Sequence, residues 1–126
     1  MDQKTVILNQ DLFKQSIMDY TQKKEWEYAG DKPAIIYFFA EWCSTCKAIA
    51  QMIEDLAQAY QEEICIYKVD IEEEKELSVL FRIQSVPSLL FIPMESKPQM
   101  LQGALPKDVL EDYIESILLY QEPEEQ

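Results

Sequence analysis

Two rhythms of apolar and polar positions run along the chain. Short, nearly continuous apolar runs occupy Ala34 to Ala40, Ile64 to Val69 and Leu89 to Ile92; they are rich in β-branched and aromatic residues and read as buried strands. Between the first two runs the apolar residues Ile49, Ile53, Leu56 and Tyr60 recur at helical spacing, which predicts a long amphipathic helix to about Tyr60 and a turn over Gln61 to Glu63. A strand-helix-strand unit of this kind is right-handed and makes its strands parallel, so the strands opening at Ala34 and Ile64 are expected in one sheet.

The flanks extend the pattern. Thr5 to Leu8 is a short β-prone segment, and Asn9 caps a helix with Asp11 in its first turn and Phe13, Ile17 and Tyr20 on one face. Lys23 to Lys32 reads as a helix end plus a connecting loop, with Trp26 and Tyr28 covering an edge of the core. Beyond Asp70, the acidic run Glu72-Glu73-Glu74 leads into a short helix carrying Leu77, Leu80 and Phe81, since acidic residues suit a helix start. Pro93 to Pro98 forms a turn into a last strand near Gln99 to Gln102. Gly103 breaks the pattern, and Pro106 opens a final helix in which Val109, Tyr113 and Ile117 recur, with Leu110, Ile114 and Leu118 beside them. The order β-α-β-α-β-α-β-β-α predicts an α/β fold, a central mixed β-sheet with helices on both faces and a hairpin at the β-β step.

Composition narrows the class. A chain of 126 residues, nearly half of them hydrophobic, holds one domain over residues 1–120, followed by an acidic, disordered tail at 121–126. No segment approaches the length of a membrane span. The net charge of -13 argues against nucleic acid and anionic membrane surfaces and favours basic partners. The N-terminus lacks the basic and apolar regions of a signal peptide, so the default address is cytoplasmic. Without histidine and with three cysteines, one chain does not furnish a closed four-ligand metal site of the usual kind; a zinc site shared between two chains is the weaker reading. Cys65, within the apolar Ile64-Cys65-Ile66-Tyr67, reads as a small buried hydrophobe.

The chemistry lies in Trp42-Cys43-Ser44-Thr45-Cys46-Lys47, at the junction of a strand and a helix. Cys43 is expected at the helix N-terminus, where unpaired backbone N–H groups and the helix dipole favour a thiolate. Cys46, one turn in, is expected to be more covered. Residues three apart in a first helical turn bring their side chains together, so the pair suits a dithiol-disulfide cycle with little backbone movement.

With these residues, the chain resembles the thioredoxin family from about Val6 to Leu119. Trp42-Cys43-Ser44-Thr45-Cys46-Lys47 is similar to the family's active-site motif with its two central residues changed, Val86-Pro87-Ser88 to its cis-proline segment, and Gly103-Ala104 to the turn lining its substrate groove; Asp70 and Ile71 stand where the family ends its third strand. The resemblance implies a thioredoxin fold and a protein-disulfide reductase. Cys43 would then be the nucleophile, Cys46 the resolving cysteine, and Trp42, Ile71, Val86, Pro87, Gly103 and Ala104 the substrate-contacting residues. It implies no cofactor beyond the Cys43-Cys46 redox pair and no bound metal. Its implied partners are disulfide-containing proteins and an NADPH-dependent reductase of the thioredoxin reductase type, met by a monomer.

Four residues depart from the family pattern. Tyr37 stands where thioredoxins usually carry a buried acid that helps deprotonate the resolving cysteine, while Lys68 matches the lysine partner of that acid. A phenol with an ordinary pKa of about 10 is a poor base at neutral pH, so resolution is expected to be slow, with Lys68 or a water taking the Cys46 proton. Ser44 and Thr45 replace the frequent Gly-Pro; hydroxyls and N–H groups there would stabilise the Cys43 thiolate and make the couple less reducing. Gln51 replaces a proline that commonly kinks the active-site helix, so a straighter helix is expected. These changes leave two alternatives to a reductase: a thiol oxidase or isomerase, and a thioredoxin-fold module that binds partners without turnover.

Overall fold

A computed structural model describes residues 4–120; the tail expected at 121–126 lies outside the described residues. The elements follow the predicted order: β1 (Val6–Ile7), α1 (Gln10–Ser16), β2 (Ala34–Phe39), α2 (Ser44–Ala59), β3 (Cys65–Asp70), α3 (Lys75–Leu80), β4 (Ser88–Ile92), β5 (Gln99–Gln102) and α4 (Lys107–Tyr113), which continues as a π-helical segment over Ile114–Leu118. The five strands form one mixed sheet in the order β1-β3-β2-β4-β5. β2 and β3 pair in parallel, and β2 with β4 and β4 with β5 pair antiparallel, the latter as the expected hairpin.

Strand periodicity sorts the core into two layers. Ile35, Tyr37, Leu89 and Phe91 face α2 and the C-terminal helix, packing with Ile53, Leu56, Leu110 and Ile114. Ile36, Phe38, Leu90 and Ile92 face the other way, onto Phe13 and Ile17 of the N-terminal region and Leu77 of α3. The central strands are therefore apolar on both faces, and this is why they read in the sequence as unbroken apolar runs. Phe13, Phe38 and Phe91 are fully buried, each contributing roughly 2–3 kcal/mol of apolar burial.

Four local expectations need correction. α1 stops at Ser16, with the Met18 N–H turning back to the Phe13 carbonyl, so Tyr20 lies beyond the helix although its ring still packs on Phe13. Lys23 to Lys32 contains no helix: Gln22 and Lys23 close a turn on the Asp19 carbonyl, and the Ala29 N–H then returns to Ile17. Cys65 is half-buried rather than buried: it pairs with Ala34 of β2 on one side, but β1 on the other side reaches only Tyr67 and Lys68 of β3 and leaves that edge of Cys65 uncovered by a strand. In the last helix the deeper row is Leu110, Ile114 and Leu118, and the backbone widens so that the Leu119 N–H bonds the Ile114 carbonyl. One other expectation holds: Asn9 caps α1 by accepting the Leu12 N–H; Gln51 lies within α2, which spans Ser44–Ala59.

Candidate active site

β2 ends at Phe39, and a turn closed by the Cys43 N–H on the Ala40 carbonyl (3.1 Å) delivers the first cysteine to the start of α2. Cys43 is the N-cap residue. Its extended backbone (φ -86°, ψ 106°) lets Sγ accept the Cys46 N–H at 3.0 Å, a role usually filled by a serine, threonine or aspartate oxygen. Cys43 and Cys46 are joined as a disulfide across a Cα–Cα distance of 5.2 Å. The first turn of α2 holds no acidic residue, so nothing there opposes the helix end in favouring negative charge on the Cys43 sulfur once the bond is reduced. Cys46 is the more deeply buried of the two.

Around the sulfurs the structure assembles part of the expected groove. The Val86–Pro87 peptide is cis, and the Val86 carbonyl oxygen lies 3.8 Å from Cys43 Sγ. Pairing of Ser88 with Gln102 brings the turn after β5 beside Pro87, whose carbonyl accepts the Gly103 N–H at 2.9 Å. Gly103 has φ +93°, a backbone that glycine adopts without penalty. Ala104 follows at the exposed rim. On the opposite side Trp42 is 66% exposed and donates its indole N–H to Glu72 at 3.0 Å, next to Ile71, whose N–H bonds the Phe39 carbonyl. Ser44 and Thr45 are exposed; among the described hydrogen bonds the donor to Cys43 Sγ is the Cys46 N–H, and neither hydroxyl takes that place.

Tyr37 is buried beneath α2. Its phenol donates to the Cys46 carbonyl oxygen at 3.2 Å and its ring stacks on Phe39. Burial pushes its pKa up to about 12, further from any role as a base. Lys68 lies directly across the strand pair from Tyr37, and its ammonium is 3.9 Å from Glu54 Oε2.

Glu54 is the residue that sequence reading missed. Projecting from α2, its carboxylate accepts the Lys4 N–H (2.9 Å), the Thr5 N–H (3.2 Å) and the Thr5 hydroxyl (2.5 Å). Burial alone would raise its pKa, but the Thr5 and Lys4 hydrogen bonds and the Lys68 charge outweigh it and hold the carboxyl below its ordinary value. Cys46, Tyr37, Lys68 and Glu54 line one cavity of about 180 Å³ under the start of α2. A half-buried lysine on the α2-facing side of the sheet demands a counter-charge, and that was the available signal. Among the described residues no cluster of three or more histidine, cysteine or acidic side chains is placed to hold a metal ion.

Comparison with known proteins agrees with this geometry. The family model described as Thioredoxin matches residues 4–116. The chain is 39% identical over 109 residues to a protein named Thioredoxin from Borreliella burgdorferi, covering 86% of this chain and 93% of that one. It is 30% identical over 106 residues to Thioredoxin 1 of a Nostoc species, covering 84% and 90% of the two chains. Against the chloroplastic Thioredoxin M-type of Spinacia oleracea the identity is 35% over 95 residues, covering 75% of this chain and 52% of that one.

Proposed function

The chain belongs to the thioredoxin family and is a thiol-disulfide oxidoreductase; from that premise we propose that it is a protein-disulfide reductase in which Cys43 attacks and Cys46 resolves. One observation supports the assignment of roles: Cys43 is the N-cap of α2, its sulfur accepting the Cys46 N–H at the positive end of the helix, and of two buried cysteines it is the more exposed, 6% against 2% for Cys46. In the reduced protein the Cys43 thiolate displaces one sulfur of a partner disulfide, which leaves as a thiolate and takes up a proton. Cys46 then gives up its proton and attacks the Cys43 sulfur, forming the Cys43-Cys46 bond and expelling the second partner sulfur as a thiolate, which is protonated in turn. The partner gains two electrons and two protons.

Trp42, Ile71, Val86, Pro87, Gly103 and Ala104 form the contact surface for an extended partner segment. The exposed Glu41, Glu72 and Glu73 beside Trp42, with the overall charge of -13, favour partners whose disulfide is flanked by lysine or arginine. The redox group is the cysteine pair itself, and it is restored by an NADPH-dependent reductase in the cytoplasm, with the chain acting as a monomer. The test is trapping. Cys46→Ser should accumulate partners in mixed disulfides on Cys43, and Cys43→Ser should abolish both trapping and reduction; trapping that survives Cys43→Ser would reverse the roles.

A further inference from the structure

We propose that Glu54 and Lys68 form a positioning pair for the second half-reaction: two opposed charges on the cavity beneath Cys46 that set the pH at which its thiol becomes the attacking thiolate. The inference rests on the resolving role of Cys46. Cys46 and both charged side chains line the same 180 Å³ cavity, and the pair is largely withdrawn from solvent, with side-chain exposures of 18% for Lys68 and 24% for Glu54. At such exposure a charge acts on its neighbours with much less screening than one at the surface. An ammonium facing the cavity favours the thiolate, and a carboxylate disfavours it.

The other groups around the cavity do not supply this control. Tyr37 from β2 is neutral at physiological pH and directs its proton to the Cys46 carbonyl rather than to the sulfur. Glu41 before α2 and Lys47 in its first turn also line the cavity, but both are exposed, so solvent screens them. On the remaining sides Cys46 belongs to a cluster in which β4 contributes Leu89 and Phe91, and the C-terminal helix Leu110 and Ile114, all uncharged.

Glu54 does not serve as the base. Three donors from Lys4 and Thr5 already occupy its oxygens. The Cys46 proton therefore passes to solvent base, and the pair fixes how readily it leaves. The carboxylate in turn fixes the ammonium. Thr5 is buried and hydrogen-bonded to Glu54, and β1 pairs with β3 through Ile7 opposite Lys68, so the N-terminal segment clasps both members.

The two charges make opposite predictions. Without Lys68 the unpaired carboxylate holds the Cys46 proton on; without Glu54 the unpaired ammonium releases it. The experiment uses the full-length reduced protein in a Cys65→Ala background, mixed with an aromatic disulfide reagent whose thiol product is coloured. Attack by Cys43 releases the first coloured equivalent, and displacement by Cys46 releases the second; the second-phase rate is followed against pH. Lys68→Gln is expected to raise the midpoint of that profile by about one pH unit and slow the second phase at neutral pH roughly tenfold. Glu54→Gln is expected to lower the midpoint and speed the phase severalfold. The double variant should return toward the parent, and the first phase should stay within about twofold throughout.

Midpoints that do not move, or that move in the same direction for both variants, would overturn the proposal, because a pair that merely held β1 against α2 would show that behaviour. If Lys68→Gln does not fold, the sign of the Glu54→Gln shift decides: downward supports the pair, and zero or upward refutes it. The parent protein separately tests the reading beneath. Release of two equivalents shows a resolving Cys46, whereas a single equivalent would remove that role whatever the variants do.

Discussion

Tyr37→Phe separates structure from catalysis at the most unusual position of the site. The substitution removes one hydroxyl whose O–H lies 3.2 Å from the Cys46 carbonyl. Net, a buried neutral hydrogen bond contributes about 0.5–1.5 kcal/mol. The Cys46 carbonyl keeps a donor, because in an α-helix the N–H four residues on bonds to it, so no acceptor is orphaned and the cost falls at the low end, about 0.5–1 kcal/mol. The ring and its stacking on Phe39 remain. For a domain of this size that cost lowers Tm by about 2–5 °C. The two-phase thiol-release assay should show both phases within about twofold of wild type, since a phenol titrating at about 12 supplies no base at neutral pH. General-base catalysis contributes about 10²–10⁴-fold, so a second phase slowed more than tenfold with the first intact would refute this account and make Tyr37 a participant. Tyr37→Asp is the converse. It places a carboxylate where only 4% of the residue is exposed, directly across from Lys68, and is expected to shorten the mixed-disulfide lifetime while lowering stability. An unchanged lifetime would show that an acid there does not assist Cys46.

Other expectations follow from single contacts. Gly103→Ala should cost about 1–2 kcal/mol in thermal or denaturant unfolding, from backbone strain alone, because φ is +93° and an added Cβ would meet no atom within 4 Å. Thr5→Val, which keeps the volume and removes the hydroxyl donated to Glu54, should cost about 1 kcal/mol by the same measurement. Glu54 has a folded-state pKa depressed below its ordinary value near 4.5, so its contribution is present above that pH and is lost as pH falls through the folded-state pKa. Chemical denaturation between about pH 5 and 3 should therefore show a smaller loss of stability for Glu54→Gln than for wild type. The Cys43/Cys46 couple, equilibrated with a dithiothreitol or glutathione buffer, should prove less reducing than thioredoxins carrying Gly-Pro between their cysteines, and an equal potential would exclude any effect of Ser44-Thr45.

What the sequence displayed was whatever rests on local order or on continuous burial. Ile35 to Phe39 and Leu89 to Ile92 are apolar on both faces of the sheet, so no choice of face was needed to recognise them as strands. The Cys43 cap and the one-turn spacing to Cys46 follow from the backbone of a single helix end. Contacts between distant segments were hidden. Thr5 and Glu54 are 49 residues apart and meet only because β1 joins the sheet beside β3, under α2. The helix end expected in Lys23 to Lys32 was misread for a related reason: Trp26 and Tyr28 do cover an edge of the core, but they do so from irregular chain, stacked on each other against the α1-side core. Tertiary burial, not helical periodicity, explains their apolar character.

The two cysteines are governed at different levels of structure, and this bears on how the site can vary. Cys43 is set by the backbone: the turn from Ala40, the N-cap conformation and the Cys46 N–H would serve almost any sequence that starts a helix there. Cys46 is set by side chains from three elements, Tyr37 of β2 beneath its carbonyl and Lys68 of β3 with Glu54 of α2 around its cavity. Substitution at positions 37, 54 and 68 can therefore alter how long a partner stays covalently attached while leaving the rate of first attack nearly unchanged. Tyr37 gives up the titrating acid at the resolving step, and with it the desolvation cost of an unpaired buried carboxylate. The charge that remains near Cys46 is balanced, pairing Lys68 with Glu54, so the resolving rate should follow the thiol's own titration with no second inflection from a carboxylate at position 37.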